Sequence, residues 1–438
     1  MSPGAGILRG ATHWRTGERV DLMWIGGRVL AVAPRIAERA EHEFDADGLV
    51  LAPGLVDLHV HLREPGQGAK ETIETGTRAA AAGGFTDVAC MPNTNPVVDD
   101  VAWLEWVKAR ARASGHCRVH PIAALTMGQK GQQLAEAHAL RAAGAVALSD
   151  DGHPVMSAGL MRRALEYAKP TGLPIVCHEE DLTLKGEGAR NEGFTAARHG
   201  LRGIPAAAES VMVRRDVELA ELTGGRVHLA HLSCEASFEG LRDAKARGLA
   251  VTGETCPHYW TLTDEAVGDY DTAAKMNPPL RSERDREATI RAIVDGTVDC
   301  FATDHAPHTA EEKAQTFDAA PFGIVGLETA LALTITHLVE PGHLSLTRAL
   351  ELWTDAPRRV FGLPPVTLAR GEPADFTLLE PEFEWSVDPG AFHSKGRNTP
   401  FAGWRVRGRV RLTVCGGVVT HGEERFANAS IRDIVARI

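Results

Sequence analysis

Between Pro53 and Leu363, short apolar runs alternate with amphipathic, alanine-rich stretches, and this alternation limits the possible folds more than any other feature of the chain. Runs rich in branched residues at 55–60, 86–90, 118–123, 145–148, 174–177, 227–230, 249–252 and 298–302 read as strands. The stretches between them, 71–82, 101–113, 134–142, 159–169, 206–222, 236–247 and 283–294, carry helical periodicity, and 325–338 and 347–353 follow the eighth run. Eight strands separated by helices predict an α/β fold, a (β/α)8 barrel of the TIM type, which takes about 250 residues. A doubly wound open sheet would place a glycine-rich dinucleotide turn after the first strand. Here that strand runs into Leu58-His59-Val60-His61.

Both flanks carry strand signals, at 7–9, 19–25 and 28–33 and again at 375–379, 404–414 and 418–421. Each flank is too small to bury a good core alone. They are expected to combine into a small β-sandwich, residues 1–52 plus 365–438, beside a barrel domain of 53–364. Arg405, Arg407, Arg409 and Arg411 alternate with Val406, Val410 and Leu412, the pattern of a strand with one solvated face rather than of a nucleic-acid stripe.

The net charge of −11 argues against a nucleic-acid backbone or an anionic membrane surface as the main partner. No apolar stretch approaches the ~20 residues of a transmembrane helix, and residues 1–10 lack the pattern of a secretory signal. The seven cysteines are scattered and form no C-x-x-C pair, so neither a disulfide framework nor a thiolate zinc site is expected. This usage suits a reducing compartment, and the expected location is cytoplasmic.

Nineteen histidines make imidazole chemistry the natural place to look for function. His59 and His61 end the first barrel strand, and residues i and i+2 of a strand point the same way. Barrel active sites lie at that end of the strands. The fourth strand ends in Asp150-Asp151, the fifth in His178, the sixth in His231 and the eighth in Asp304. Spacing does not say which of Asp150 and Asp151 faces the mouth. Four imidazoles and two carboxylates suit Zn²⁺, Mn²⁺ or Co²⁺ better than Mg²⁺ or Ca²⁺. Six ligands exceed the need of one tetrahedral zinc, so two metals per subunit sharing a carboxylate are expected, a pair that lowers the pKa of a bound water and polarises a carbonyl. Around these positions stand residues able to contact a substrate. Arg63 could clamp a carboxylate. Asn93 and Asn277 follow strands two and seven, His308 lies four residues past Asp304, and Phe322-Gly323 could admit ligand atoms close to the backbone.

With these residues assembled, the chain resembles the amidohydrolase superfamily and, within it, the bacterial type I dihydroorotases. The motifs are His61-Leu62-Arg63-Glu64-Pro65-Gly66, Met91-Pro92-Asn93-Thr94, Thr303-Asp304-His305-Ala306-Pro307-His308, Pro321-Phe322-Gly323, Gly326-Leu327-Glu328-Thr329 and Asn398-Thr399-Pro400-Phe401. The resemblance implies that His59, His61 and Asp304 hold one metal, that His178 and His231 hold the second, and that Asp151 bridges them. It implies that His61, Arg63, Asn93, Asn277, His308, Phe322 and Gly323 contact dihydroorotate and that Asp304 is the catalytic proton shuttle. The implied reaction is metal-dependent, reversible cyclisation of N-carbamoyl-L-aspartate to dihydroorotate, a step of pyrimidine synthesis. The partners it raises are this small-molecule substrate, a second copy in a homodimer, and aspartate carbamoyltransferase. Two alternatives stand beside it. A hydantoinase or allantoinase is one, although hydantoinases bridge their metals with a carboxylated lysine and 145–152 contains no lysine. The other is a non-catalytic scaffold subunit, against which the six filled ligand positions count.

Overall fold

The protein is described by a computed structural model covering residues 4–422. The parts of the expected sandwich at 1–3 and 423–438 lie outside the described residues.

The amino-terminal segment forms β1 (Gly6–His13), β2 (Arg19–Ile25), β3 (Arg28–Ala33), β4 (His42–Asp45) and β5 (Val50–Pro53). One residue later the barrel begins. Its strands are β6 (Leu55–Val60), β7 (Phe85–Cys90), β8 (Arg118–Pro121), β9 (Leu148–Ser149) and β10 (Ile175–Cys177). A two-residue ribbon, β11 (Arg190–Asn191) and β12 (Gly203–Ile204), interrupts the series. The barrel then resumes with β13 (Val227–Leu229), β14 (Val251–Thr255) and β15 (Cys300–Phe301). β6, β7 and β8 pair in parallel, as do β9, β10, β13, β14 and β15. Parallel bridges Ala123↔Leu148 and Val60↔His305 join the two groups into a ring.

Sequence explains the layers. All six residues of β6 are buried, as expected of a strand covered on both faces. Val56 and Leu58 pack inside the barrel with Ala89, Ile122, Val176 and Ala230, and the helix Asp355–Phe361 closes the interior with Val360 and Phe361. Leu55 and Val60 face the surrounding helices instead. Strict alternation from Val56 and Leu58 would send Val60 inward. The β6–β7 pairing shifts register between Asp57 and Val60, and this irregularity exchanges the parity and turns His59 and His61 toward the mouth.

Two elements differ from the expected spans. The fourth strand is only Leu148–Ser149, because the residues before it follow the left-handed Gly144 that ends the preceding helix. The expected helix at 325–338 begins at Ala330, and its second half, Ile335–Val339, is a π-turn. Its first residues are tied elsewhere: Val325 N donates to Asn398 O and Gly326 N to His305 Nδ1.

The carboxy-terminal strands β16 (Phe376–Ser386), β17 (Arg405–Cys415) and β18 (Val418–Gly422) join β5, β1, β2 and β3 in one sheet, with β4 added beside β1. β2 and β16 are three strands apart in this ladder, about 14 Å if it were flat. Yet the Trp24 and Phe376 rings stand 5.2 Å apart, so the sheet folds over on itself around Leu8, Leu22, Phe44, Leu51, Leu378 and Leu412. This is the sandwich, formed from one continuous sheet. The arginine row of β17 meets glutamates of β16, with Glu384 accepting from Arg405 and Arg407 and Glu380 from Arg411. Among the described residues no helix is long and apolar enough to cross a membrane.

Beneath the ring, one buried carboxylate ties its parts together. Asp87 on β7 accepts from Arg118 Nε at 3.0 Å, His120 Nε2 at 2.8 Å and Arg358 Nη2 at 2.6 Å, and Arg118 also reaches Asp375 beside β16. Burial alone would raise this carboxyl, but the hydrogen bond from His120 and the charges of Arg118 and Arg358 hold it well below the usual range. Asp87→Ala is expected to cost about 3–5 kcal/mol, because it leaves the buried Arg358 cation without its carboxylate. The cost should be full above about pH 4 and shrink as the medium is acidified below that, where the carboxyl of the unfolded chain takes up its proton. Urea denaturation midpoints at several pH values measure both effects.

Candidate active site

The ring brings all six donor residues to one rim. His59 Nε2 lies 3.5 Å from Asp151 Oδ1 and 3.5 Å from Asp304 Oδ1. His61 Nε2 lies 3.6 Å from Asp151 Oδ2 and 3.2 Å from Asp304 Oδ1. His178 Nδ1 stands 2.9 Å from His231 Nε2, and each of the two nitrogens is 3.7 Å from Asp151 Oδ1. Three triads emerge: His59, His61 and Asp151; His59, His231 and Asp304; and Asp151, His178 and His231. Asp151 belongs to two of them.

The structure resolves the Asp150–Asp151 ambiguity geometrically. The Asp150 carboxylate turns away, accepting from Leu125 N, Thr126 N and Thr126 Oγ1, and burial raises it to about 6. Asp151 faces the four imidazoles. Burial alone would raise Asp151 and Asp304, yet the neighbouring histidines, His59 foremost, hold both below their ordinary values.

The donor set can hold metal ions. His59 Nε2, which faces Asp151 and Asp304, is buried without a hydrogen-bond partner, a costly state for a polar atom that has no further role. Two ligands each about 2.0–2.1 Å from a tetrahedral ion would stand about 3.3 Å apart, within the 2.9–3.7 Å range observed here. Supporting groups set the tautomers. His59 Nδ1 bonds Glu254 Oε1 at 2.9 Å, and His228 Nε2 bonds the other oxygen of Glu254 at 3.1 Å. His61 Nδ1 donates to Asn93 Oδ1 at 3.0 Å, which leaves Nε2 as the lone pair facing the site. Three residues here hold non-glycine backbone at positive φ: Arg63 (60°), His231 (37°) and Asp304 (48°). Such strain gathers where side chains must be aimed.

Beside the donors opens a cleft of about 430 Å³, lined by every expected substrate contact. The placements differ in kind. Arg63 is 9% exposed, its Nε donates to Pro307 O at 3.2 Å, and its Nη2 stands 3.3 Å from His308 Nε2. Burial lowers its pKa to about 10 while Asp304 and Asp151 pull the other way, so it stays cationic at neutral pH. Asn93 engages the donor residues themselves, with Nδ2 on Asp151 Oδ2 at 3.1 Å and Oδ1 on His61. Asn277 Nδ2 donates to Glu180 at 3.2 Å, while its Oδ1 is buried without a partner. His308 bonds Phe322 O at 2.8 Å, and burial together with Arg63 and Lys70 pushes its pKa down to about 3. The backbone of Gly323 is already engaged: its N–H donates to Lys275 O and its carbonyl accepts from Asn398. A side chain at that glycine, whose φ is 147°, would meet Ala306 O at 2.6 Å.

Sequence reasoning missed Glu254 and His228, which sit behind His59. It also missed Glu180 and Lys185, paired at 2.7 Å, with Glu180 near His178 Nε2. Glu254 lies on β14, and position on a barrel strand was the one signal that could have flagged it.

Comparison with known proteins gives the chain a family. Residues 48–237 match the family model described as Dihydro-orotase-like. A dihydroorotase of Anaeromyxobacter dehalogenans is 55% identical over 402 residues, 91% of this chain and 93% of the relative. One of Syntrophotalea carbinolica is 51% identical over 404 residues, 92% of this chain and 95% of the relative. Among solved structures, the L-hydantoinase of Arthrobacter aurescens superposes with a TM-score of 0.86 at 26% identity, covering 97% of each chain. With identities above one half sustained along nine-tenths of its length, the chain belongs to the dihydroorotase family.

Proposed function

We propose that the chain interconverts dihydroorotate and N-carbamoyl-L-aspartate at the barrel mouth. The observation that carries this reading is Arg63, a buried cation with no carboxylate hydrogen-bonded to it, facing the same cleft as His61, Asp151, His178, His231 and Asp304. Dihydroorotate offers that cation its ring carboxylate, whereas a hydantoin has none to give. The relatives' names and the donor cluster support the same reading.

The donor set fits two divalent transition-metal ions, zinc by preference. His59, His61 and Asp304 would hold one and His178 and His231 the other, with Asp151 shared, since its two oxygens lie 3.5–3.7 Å from nitrogens of all four imidazoles. When bound, such a pair lowers the pKa of water and polarises the amide carbonyl. The protein does the rest. Arg63 binds the ring carboxylate with His308 beside it, and Asn277 Oδ1 is open to accept from a ring N–H, which together fix which carbonyl faces the donors. In hydrolysis a C–O bond forms at the ring amide carbon and its C–N bond breaks. Asp304 accepts the proton of the attacking water and returns it to the departing nitrogen. Its Oδ1, within 3.5 Å of both His59 and His61, reaches the reaction centre from the end of strand eight. His308, already bonded to Phe322 O and depressed by Arg63, suits substrate binding rather than proton transfer. Ring closure runs the same steps in reverse.

Three outcomes test this reading. Exhaustive chelation is expected to abolish dihydroorotate hydrolysis, and elemental analysis of reconstituted protein should find up to two ions per chain. Activity that survives chelation would end the metal assignment. Arg63→Ala should raise KM for dihydroorotate roughly 10–150-fold, the loss of a charge-assisted contact, while sparing any turnover of an uncharged cyclic amide. Equal losses on both substrates would make Arg63 structural. Asp304→Asn should lower kcat by about 10²–10⁴-fold with metal retained, whereas His308→Asn should act mainly on KM. The opposite pattern would exchange the two roles.

A further inference from the structure

The run Asn398-Thr399-Pro400-Phe401 takes no part in the steps above. It belongs to a strap that leaves the terminal sheet after β16 at Ser386 and rejoins it at Arg405. The strap lies across the loops that follow strand eight. Ser394 Oγ donates to Glu71, as does Lys395 N at 3.2 Å, and Phe401 packs in the same apolar cluster as Ile324 and Val325. At Gly396 the approach is so close that a Cβ would stand 2.7 Å from both Pro307 Cβ and Val325 Cγ1.

Asn398 is 6% exposed, and its side chain is spent on two other segments. Nδ2 donates to Ala306 O at 2.9 Å and to Gly323 O at 3.0 Å, while Oδ1 accepts from His308 N at 3.1 Å. Two acceptors and one donor around one buried group call for a side chain that both donates twice and accepts, which is the amide. The segments so joined carry the carboxylate-binding side of the cleft. Pro307, between the two pinned residues, supplies the carbonyl that holds Arg63 Nε, and His308 Nε2 joins that loop to Phe322 O.

We propose that Asn398 is a positioning residue for the substrate carboxylate. Supplied by the terminal sheet, it sets the spacing between 306–308 and Gly323, and through Pro307 O and the His308 ring it aims Arg63. This rests on the reading of Arg63 as the carboxylate clamp. Asp304 is held independently: Thr303 donates to Asp57 on β6, and His61 N donates to His305 O at 2.9 Å. Loss of Asn398 therefore falls on binding rather than on turnover.

The test uses the full chain carrying Asn398→Ala or Asn398→Asp, read by steady-state kinetics with dihydroorotate and by hydrogen–deuterium exchange. The expected result is a KM raised about tenfold or more, since a displacement near 1 Å can cost up to about 100-fold, with kcat within about threefold. Exchange should quicken across 304–325 and stay unchanged over β6–β10. Asn398→Asp, nearly isosteric, keeps the acceptor for His308 N but lays an oxygen against two carbonyls, so it should do at least as much harm as Asn398→Ala. A benign Asn398→Asp beside a damaged Asn398→Ala would mean that Asn398 only fills space, and would overturn the proposal. So would unchanged KM and exchange in both variants. If the unsubstituted chain fails to hydrolyse dihydroorotate, the functional reading falls. The exchange arm then decides the clamp alone: faster exchange confined to 304–325 sustains it, and unchanged exchange ends it.

Discussion

The seam where the first barrel strand meets the last is the contact on which the rest depends. Val60 bridges His305, His61 N donates to His305 O, and the buried Asp57 carboxylate accepts from both Thr303 N and Thr303 Oγ1. Residues about 245 positions apart are thereby locked in register. Only this closure puts His59 and His61 within 3.5 Å of Asp304. An open parallel sheet would leave those residues on opposite edges, and no donor cluster would exist.

Closure alone would gather six polar side chains into a buried group that desolvation penalises. What makes the cluster tolerable is that three of its histidines are braced from behind. Glu254 holds His59, Asn93 holds His61, and Glu180 stands at His178. The carboxylates of Asp151 and Asp304 meet most of the imidazole nitrogens at 3.5–3.7 Å, with His61 Nε2 closing to 3.2 Å on Asp304, and His59 Nε2 stays bare. Such a cluster is paid for by folding elsewhere and is poised to gain from a cation. Arg63 repeats this on the substrate side, a cation kept buried against a neutral carbonyl.

Much of this was legible in the sequence because barrel periodicity converts position along the chain into position on the rim. His59, His61, Asp151, His178, His231 and Asp304 each end a strand run, so reading the runs was enough to predict their meeting. The parity of β6 was not legible, because the register shift after Asp57 depends on pairing with β7. Neither were Glu254 and Asn398. The first looks like any acid on a strand, and the second lies outside the barrel in a segment whose path across the rim is set by tertiary packing. The use of Gly323 also differs from the sequence reading. Its absent side chain makes room for Ala306 O and His308, and its backbone groups are bonded within the protein. The single sheet in place of two separate layers arises because β5 and β16 pair edge to edge, a long-range choice that strand propensity does not encode.

The terminal sheet interleaves the two ends of the chain, and this imposes an order in time as well as in space. Trp24 Nε1 donates to Gly417 O across 393 residues of sequence. At about 5–20 residues per second of synthesis, the early strands wait on the order of half a minute for their partners. During that interval β5 has an unpaired edge and Trp24 lacks its aromatic cover from Phe376. The barrel, whose helices and strands contact near neighbours in sequence, can form meanwhile. The nascent chain thus carries a sticky half-sheet beside a barrel that is already assembling, and the danger to its folding lies in meeting the half-sheet of another chain before its own second half emerges.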